Sequence, residues 1–200
     1  TEPTPHLALL DGPTTKTRLR EIAEFQAACH RYLVKGLDYG VIPGTQRPTL
    51  LKPGAEKLIK LLGLADSYEI MVSREDWDNG FFHYVVRCSL STIDSGRLVS
   101  TGLGECNSME SRYRWRWVFQ SELSSLGLDK TTLRSRDRGR AVQYRVENDD
   151  IYSQVNTVLK MAKKRAMVDA ALSAGRLSDI FTQDLEDISA KGPDDAPESV

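Results

Sequence analysis

Apolar positions set the outline of the chain before any composition is counted. From Thr17, residues Leu19, Ile22, Gln26, Cys29 and Leu33 recur at spacings of three and four with Phe25 alongside, which predicts an amphipathic helix stopped near Gly36. Gly36 to Pro53 is rich in Gly and Pro and reads as structured turns. Pro53 then opens a second helix, PGAEKLIKLLG, that buries Ala55, Leu58, Ile59 and Leu62 and ends at Gly63. A period of two follows: Tyr68, Ile70 and Val72, a turn at Asp78-Asn79-Gly80, then Phe82, Tyr84, Val86, Cys88 and Leu90. A second turn at Asp94-Ser95-Gly96 leads to a third strand, Arg97 to Cys106, in which Gly102 and Gly104 mark a bend or a close backbone approach.

Three antiparallel strands need a cover for their apolar face. The pattern predicts one long helix from Asp150 to Ala174, capped by Asn148 or Asp149 and ended by Gly175, with Val155, Val158, Met161, Ala162, Val168 and Leu172 on one side and Lys160, Lys163 and Lys164 on the other. The expected fold class is α+β, an antiparallel three-stranded meander covered by a long helix (a β-β-β-α core) with flanking N-terminal helices. Residues 1–16 read as a flexible leader, 17–182 as one domain with a basic, aromatic insertion at 107–148, and 183–200 as an acidic disordered tail.

With 200 residues, 40% of them apolar, and no run of 18 apolar positions, the chain reads as a globular domain without a membrane span. No basic segment followed by an apolar run marks a secretory signal. Cys29, Cys88 and Cys106 are scattered and form no CxxC pair, so they are expected to be buried reduced thiols of a cytoplasmic protein, nucleoid-associated if bacterial.

The net charge of −1 conceals a division. Arg112 to Arg165 holds thirteen basic and six acidic residues, whereas Arg176 to Val200 holds two basic and seven acidic. The basic stretch comprises Arg112, Arg114 and Arg116 interleaved with Tyr113, Trp115 and Trp117, then Arg134, Arg136, Arg138 and Arg140, then Lys160, Lys163, Lys164 and Arg165. Cations neutralise phosphates and aromatic faces stack on unpaired bases, so the mixture suits single-stranded nucleic acid. Each group also has a plain structural reading. The first could be a solvated strand with aromatics in the core, or a helix opened by Asn107 with Glu110 three residues on. The second could be a mobile exposed loop, the third a wet helix face, with Arg165 paired to Asp169 at i,i+4.

Other chemistry lacks its residues. GVIPGT at 40–45 has no Gly-Lys-Ser/Thr ending, Gly102-Leu103-Gly104 is too short for a dinucleotide fingerprint, and His6, His30 and His83 have no ligand partners at metal spacing. Glu69, Asp76, Asp78 and Asp94 lie near the hairpin, where turns ordinarily place carboxylates. No catalytic residue, metal or cofactor is expected.

The order of elements resembles the single-strand annealing proteins, the eukaryotic Rad-fifty-two group and the bacterial and phage Erf and RecT groups. Residues carrying the resemblance are Pro53 to Gly63 leading into Tyr68, Phe82 to Val86 with Gly102-Leu103-Gly104, and Lys160 to Ala166; DYGVIPGT, KMAKKRAMVDA and SDIFTQDLED look like phrases of the prophage-type members. The resemblance covers about residues 37–182. It implies side-by-side assembly into rings or filaments, a basic groove holding single-stranded DNA by its phosphates, and no metal or nucleotide. By position, Lys164 and Arg165 match the Lys-Arg pair of the family's DNA-binding helix, and Lys57 falls near a basic residue on the helix before the sheet. The chain departs from the eukaryotic pattern at Val168, where a further basic residue is common, and by inserting Asn107 to Asn148.

The expected function is therefore non-enzymatic binding and annealing of single-stranded DNA in recombination or repair. Its candidate contacts are Lys52, Lys57, Lys60, Arg112, Tyr113, Arg114, Trp115, Arg116, Arg136, Arg138, Lys160, Lys163, Lys164 and Arg165. Expected partners are single-stranded DNA and further copies of the chain, with the acidic tail a candidate contact for a single-strand binding protein or recombinase. The alternatives are a metal-dependent nuclease or other DNA-processing enzyme, and an assembly protein that meets an acidic partner.

Overall fold

Alternation is strongest in Phe81–Thr92, and in the computed structural model of the protein this segment is the central strand of the main sheet, with Phe82, Tyr84, Val86, Cys88 and Leu90 buried. The structure describes residues 12–41, 47–139 and 141–182. In chain order the elements are α1 (Gly12–Tyr32), β1 (Tyr39–Gly40), β2 (Thr49–Leu50), α2 (Lys52–Leu61), β3 (Leu64–Asp76), β4 (Phe81–Thr92), β5 (Leu98–Asn107), α3 (Ser111–Arg114), β6 (Trp115–Phe119), α4 (Gln120–Leu126), β7 (Ser135–Asp137), β8 (Val142–Glu147) and α5 (Val155–Gly175). Short 3-10 turns occupy Lys130–Thr132 and Ile151–Gln154.

The main sheet is the antiparallel meander β3-β4-β5, with Tyr68 opposite Cys88 and Cys88 opposite Gly102. Its apolar face lies under α5, as the sequence pattern requires. Gly102 and Gly104 make that contact close. A Cβ on Gly104 would overlap the Ala162 carbonyl and the Ala166 amide, and one on Gly102 would overlap the Ala166 carbonyl and the Ala170 amide. Ala162, Ala166 and Ala170, one turn apart and fully buried, present the matching flat stripe. Two small-residue surfaces thus bring helix backbone onto strand backbone.

Helix α5 also covers the outer edge of β5. Arg165 donates from Nη1 to the Glu105 carbonyl, and the Asp169 carboxylate accepts from the Leu103 amide at 2.9 Å. These contacts occupy strand groups that would otherwise invite another strand. At the opposite edge, β3 is exposed over most of its length, and Ile70, Met71 and Val72 are 52%, 41% and 42% exposed around a bulge.

Asp38, completely buried, ties the N-terminal elements together. Its Oδ2 accepts from the Val34 amide at 2.8 Å and from Lys57 Nζ at 2.7 Å, while its own carbonyl accepts from the Leu51 amide at 2.9 Å. After α5 the chain returns to β2, where the Leu50 amide donates to the Thr182 carbonyl at 3.0 Å.

Several sequence expectations are corrected here. Helix α1 begins at Gly12 rather than Thr17, so residues 12–16 of the expected leader are helical; the rest of that leader, the 183–200 tail, residues 42–46 and Arg140 lie outside the described residues. The single helix expected from Asp150 starts with a 3-10 turn and becomes α-helical only at Val155. Asn148 does not cap it; its Oδ1 accepts from the Asp150 amide at 3.1 Å in a local turn. The Arg134 to Arg140 run is not simply a loop, because Ser135–Asp137 pairs with β8. The three cysteines are free and buried, and burial raises the Cys88 thiol to about 11. Among the described residues no helix is long and apolar enough to cross a membrane.

Candidate nucleic-acid interface

The insertion folds as a small second sheet in the order β6-β8-β7. The Arg/aromatic run is a helical turn followed by a strand, but Glu110 rather than Asn107 is the N-cap residue, and the strand aromatics Trp115 and Trp117 lie outside the core. Asn107 and Glu110 turn the chain, with the Asn107 amide donating to Glu110 Oε1 at 3.3 Å, and α3 makes one helical turn before β6 begins. The change from helix to strand alters which way the aromatics face. Tyr113, on the helical turn, is 5% exposed in the main core, and its Oη accepts from the Cys106 thiol at 3.8 Å. That placement corrects the expectation that its ring could stack on a base. Arg112, half-buried, lies 5.5 Å from the Tyr113 ring centroid.

Strand alternation then sorts β6. Val118 points into a satellite core with Leu123, Tyr144 and Val146, against which Leu133 packs. Arg116 shares that side and is occupied there: Nη1 contacts Glu122, and Nε and Nη2 donate to Asp149 at 2.8 and 3.1 Å. Hydrogen bonds to Glu122 first, and then to Asp149, push the Arg116 guanidinium above its ordinary value. Trp115, Trp117 and Phe119 take the other face, where Trp117 stands opposite Arg145, Phe119 opposite Gln143, and Gln143 opposite Arg136.

On this face arginines lie over indoles. The Arg114 and Arg145 guanidinium carbons are 4.9 and 4.8 Å from the Trp115 ring centroid, and that of Arg136 is 4.1 Å from the Trp117 centroid. Such cation–π pairs are worth about 0.5–1 kcal/mol each when exposed, and they hold planar cations against planar rings. Arg114 also donates to Glu147 Oε1 at 3.2 and 3.3 Å, and Arg136 to Gln143 Oε1 at 2.8 and 3.0 Å. Arg145 was not among the sequence candidates. The alternation of Val142–Glu147, which buries Tyr144 and Val146 and turns Gln143 and Arg145 the other way, is the signal that identifies it. Arg138 is exposed beyond the end of β7.

The helical cations are distributed differently. Lys160 and Lys163 are exposed on α5, Lys163 Nζ stands 4.0 Å from the Tyr68 ring centroid, and Lys164 is half-buried. Arg165 does not pair with Asp169. Its guanidinium meets the Glu110 carboxylate at 2.7 and 3.0 Å as well as the Glu105 carbonyl, so it joins α5 to the start of the insertion. On α2, Lys57 serves the buried Asp38, Lys52 pairs with Glu56 at 3.2 Å on the surface, and Lys60 is exposed. The cationic candidates therefore divide into internal ties (Lys57, Arg116, Arg165), the half-buried Arg112 beside Tyr113, and surface groups on α2, on α5 and around the tryptophan face.

The hairpin carboxylates have local partners. Asp76 accepts from the Asn79 side chain at 2.9 Å and from its amide at 3.1 Å, and these bonds hold it below the usual carboxylate range. Among the described residues no group of three or more His, Cys, Asp or Glu side chains is placed to hold a metal ion. No protein-family model matches the chain, and no curated protein matches it in sequence.

Proposed function

We propose that this protein binds single-stranded DNA and anneals complementary strands in recombination or repair, without nucleotide hydrolysis and as an assembly of several copies. The observation that carries the reading is the second sheet's half-buried tryptophan face, where Arg114, Arg145 and Arg136 lie over Trp115 and Trp117. Indole faces stack on any unpaired base and guanidinium groups donate to phosphate oxygens, so the surface favours unpaired strands with little regard to sequence. An annealing protein needs that indifference, because contacts to base edges would compete with pairing. The exposed α5 lysines add phosphate-binding charge, and the open β3 edge offers a surface for another copy.

The test mixes complementary fluorescent oligonucleotides with and without protein, in the absence of ATP and Mg²⁺. Accelerated pairing is the expected result. Binding without acceleration overturns annealing, and no single-strand binding at low salt overturns the whole reading.

A further inference from the structure

Between the tip of the β3–β4 hairpin and the insertion sheet lies a pocket of about 380 Å³, at the small end of the ligand-sized range. Its lining includes Asn79 and Gly80 of the hairpin turn, Tyr152, and Arg114, Glu147 and Asn148. We propose that it holds one unpaired nucleobase of a strand whose neighbouring bases rest on Trp115 and Trp117. This rests on the single-strand reading above and adds to it a separate base site.

Three observations support the assignment. The first is a braced aromatic wall. Tyr152, 45% exposed, stacks on Trp77 at 6.3 Å with 13° between the rings, and Phe82 meets it edge-on at 6.2 Å. Gly80 keeps the wall in place: its φ is +64°, and a Cβ there would press on Ile151 at 2.8 Å. The second is continuity. Arg114 lines the pocket and also lies over Trp115, so the pocket opens at one end of the tryptophan face.

The third is charge. Glu147 and Asp149, the carboxylates of the pocket lining, are held by Arg114 at 3.2 Å and by Arg116 at 2.8 Å. The lining itself carries one arginine and two carboxylates, an excess of negative charge that disfavours a phosphate and leaves a neutral planar ring as the fitting occupant. Phosphates fall to the exposed Lys160 and Lys163 of α5. A wall that reads only the π-face accepts all four bases, as annealing requires.

The test uses the full-length protein and short oligothymidines carrying 2-aminopurine at each position in turn. Stacking on Tyr152 changes the emission at one position beyond those affected by the two tryptophans. Tyr152→Ala removes that change and weakens binding by about 5-fold or more, while Tyr152→Phe keeps both. Tyr152→Leu, which retains apolar volume without the ring, serves if Tyr152→Ala does not fold. A folded variant lacking the ring but with wild-type affinity and an unaltered emission profile overturns the pocket alone. Absence of binding by the wild-type protein overturns the reading on which it rests.

Discussion

Arg165 on α5 and Glu110 at the head of α3 meet through two contacts of 2.7 and 3.0 Å, with only 24% and 16% of their side chains exposed. Burial acts to raise the Glu110 carboxyl, but the hydrogen bonds and charge of Arg165 outweigh it, and the group lies below its ordinary value of 4.5. A depressed carboxyl stabilises the fold fully above its unfolded pKa and loses that contribution as pH falls through the folded value. Glu110→Gln should therefore cost about 1–3 kcal/mol at pH 7. In urea unfolding at a series of pH values, the gap between variant and wild type should narrow below about pH 4.5. A constant gap would show that the ion pair is not its source.

Because Arg165 has this structural partner, the DNA contribution of α5 is best measured at the exposed lysines. Lys160→Gln and Lys163→Gln should weaken binding to every single-stranded sequence alike. Each should also reduce the slope of log K against log salt by about 0.7, the change expected when one phosphate is no longer neutralised. Fluorescence anisotropy across a salt series reads both quantities.

The tryptophans should behave in the opposite way. Trp115→Ala or Trp117→Ala should weaken single-strand binding by about 1–3 kcal/mol and leave the salt slope nearly unchanged, since a stacking surface is removed rather than a charge. A salt slope that falls as it does for the lysine variants would mean that the indoles act only by holding arginines in place.

Gly104→Ala should destabilise the protein by about 1–3 kcal/mol or more, because the added methyl meets helix backbone on two sides. Chemical denaturation checks this. Gly102→Ala should act similarly, and the pair should not be additive, since both push on Ala166.

Ile70→Lys with Val72→Lys, on the open edge of β3, should reduce an assembly of several copies to a single one without altering the circular dichroism spectrum. Light scattering reads the change. Unaltered mass would place the contact between copies elsewhere.

Much of the main sheet was legible because its signals are local. Phe82 to Leu90 alternate strictly, the two turns carry Asp, Asn and Gly, and Gly102 with Gly104 interrupts a strand for a reason that a facing helix supplies. The second sheet was harder to read. Its strands are three to six residues long, and the Ser135–Asp137 strand sits inside an arginine run that resembles a loop. The unbroken Arg/aromatic alternation from Arg112 to Trp117 also conceals the helix-to-strand change that sends Tyr113 inward and leaves Trp115 and Trp117 together. Charge partners were the least legible. Arg165 with Glu110 and Lys57 with Asp38 are set by tertiary packing, and the nearest carboxylate in sequence to Arg165 was the wrong one.

The unequal edges of the main sheet bear on symmetry. A strand added beside β5 must first displace Arg165 and Asp169 from the backbone, whereas one added beside β3 displaces no comparable contact among the described residues. Between identical chains the least costly strand pairing is thus β3 with β3, which is two-fold and closes at a dimer. A ring or filament would need β3 to meet some other surface of its neighbour, a head-to-tail contact that repeats without closing after two copies.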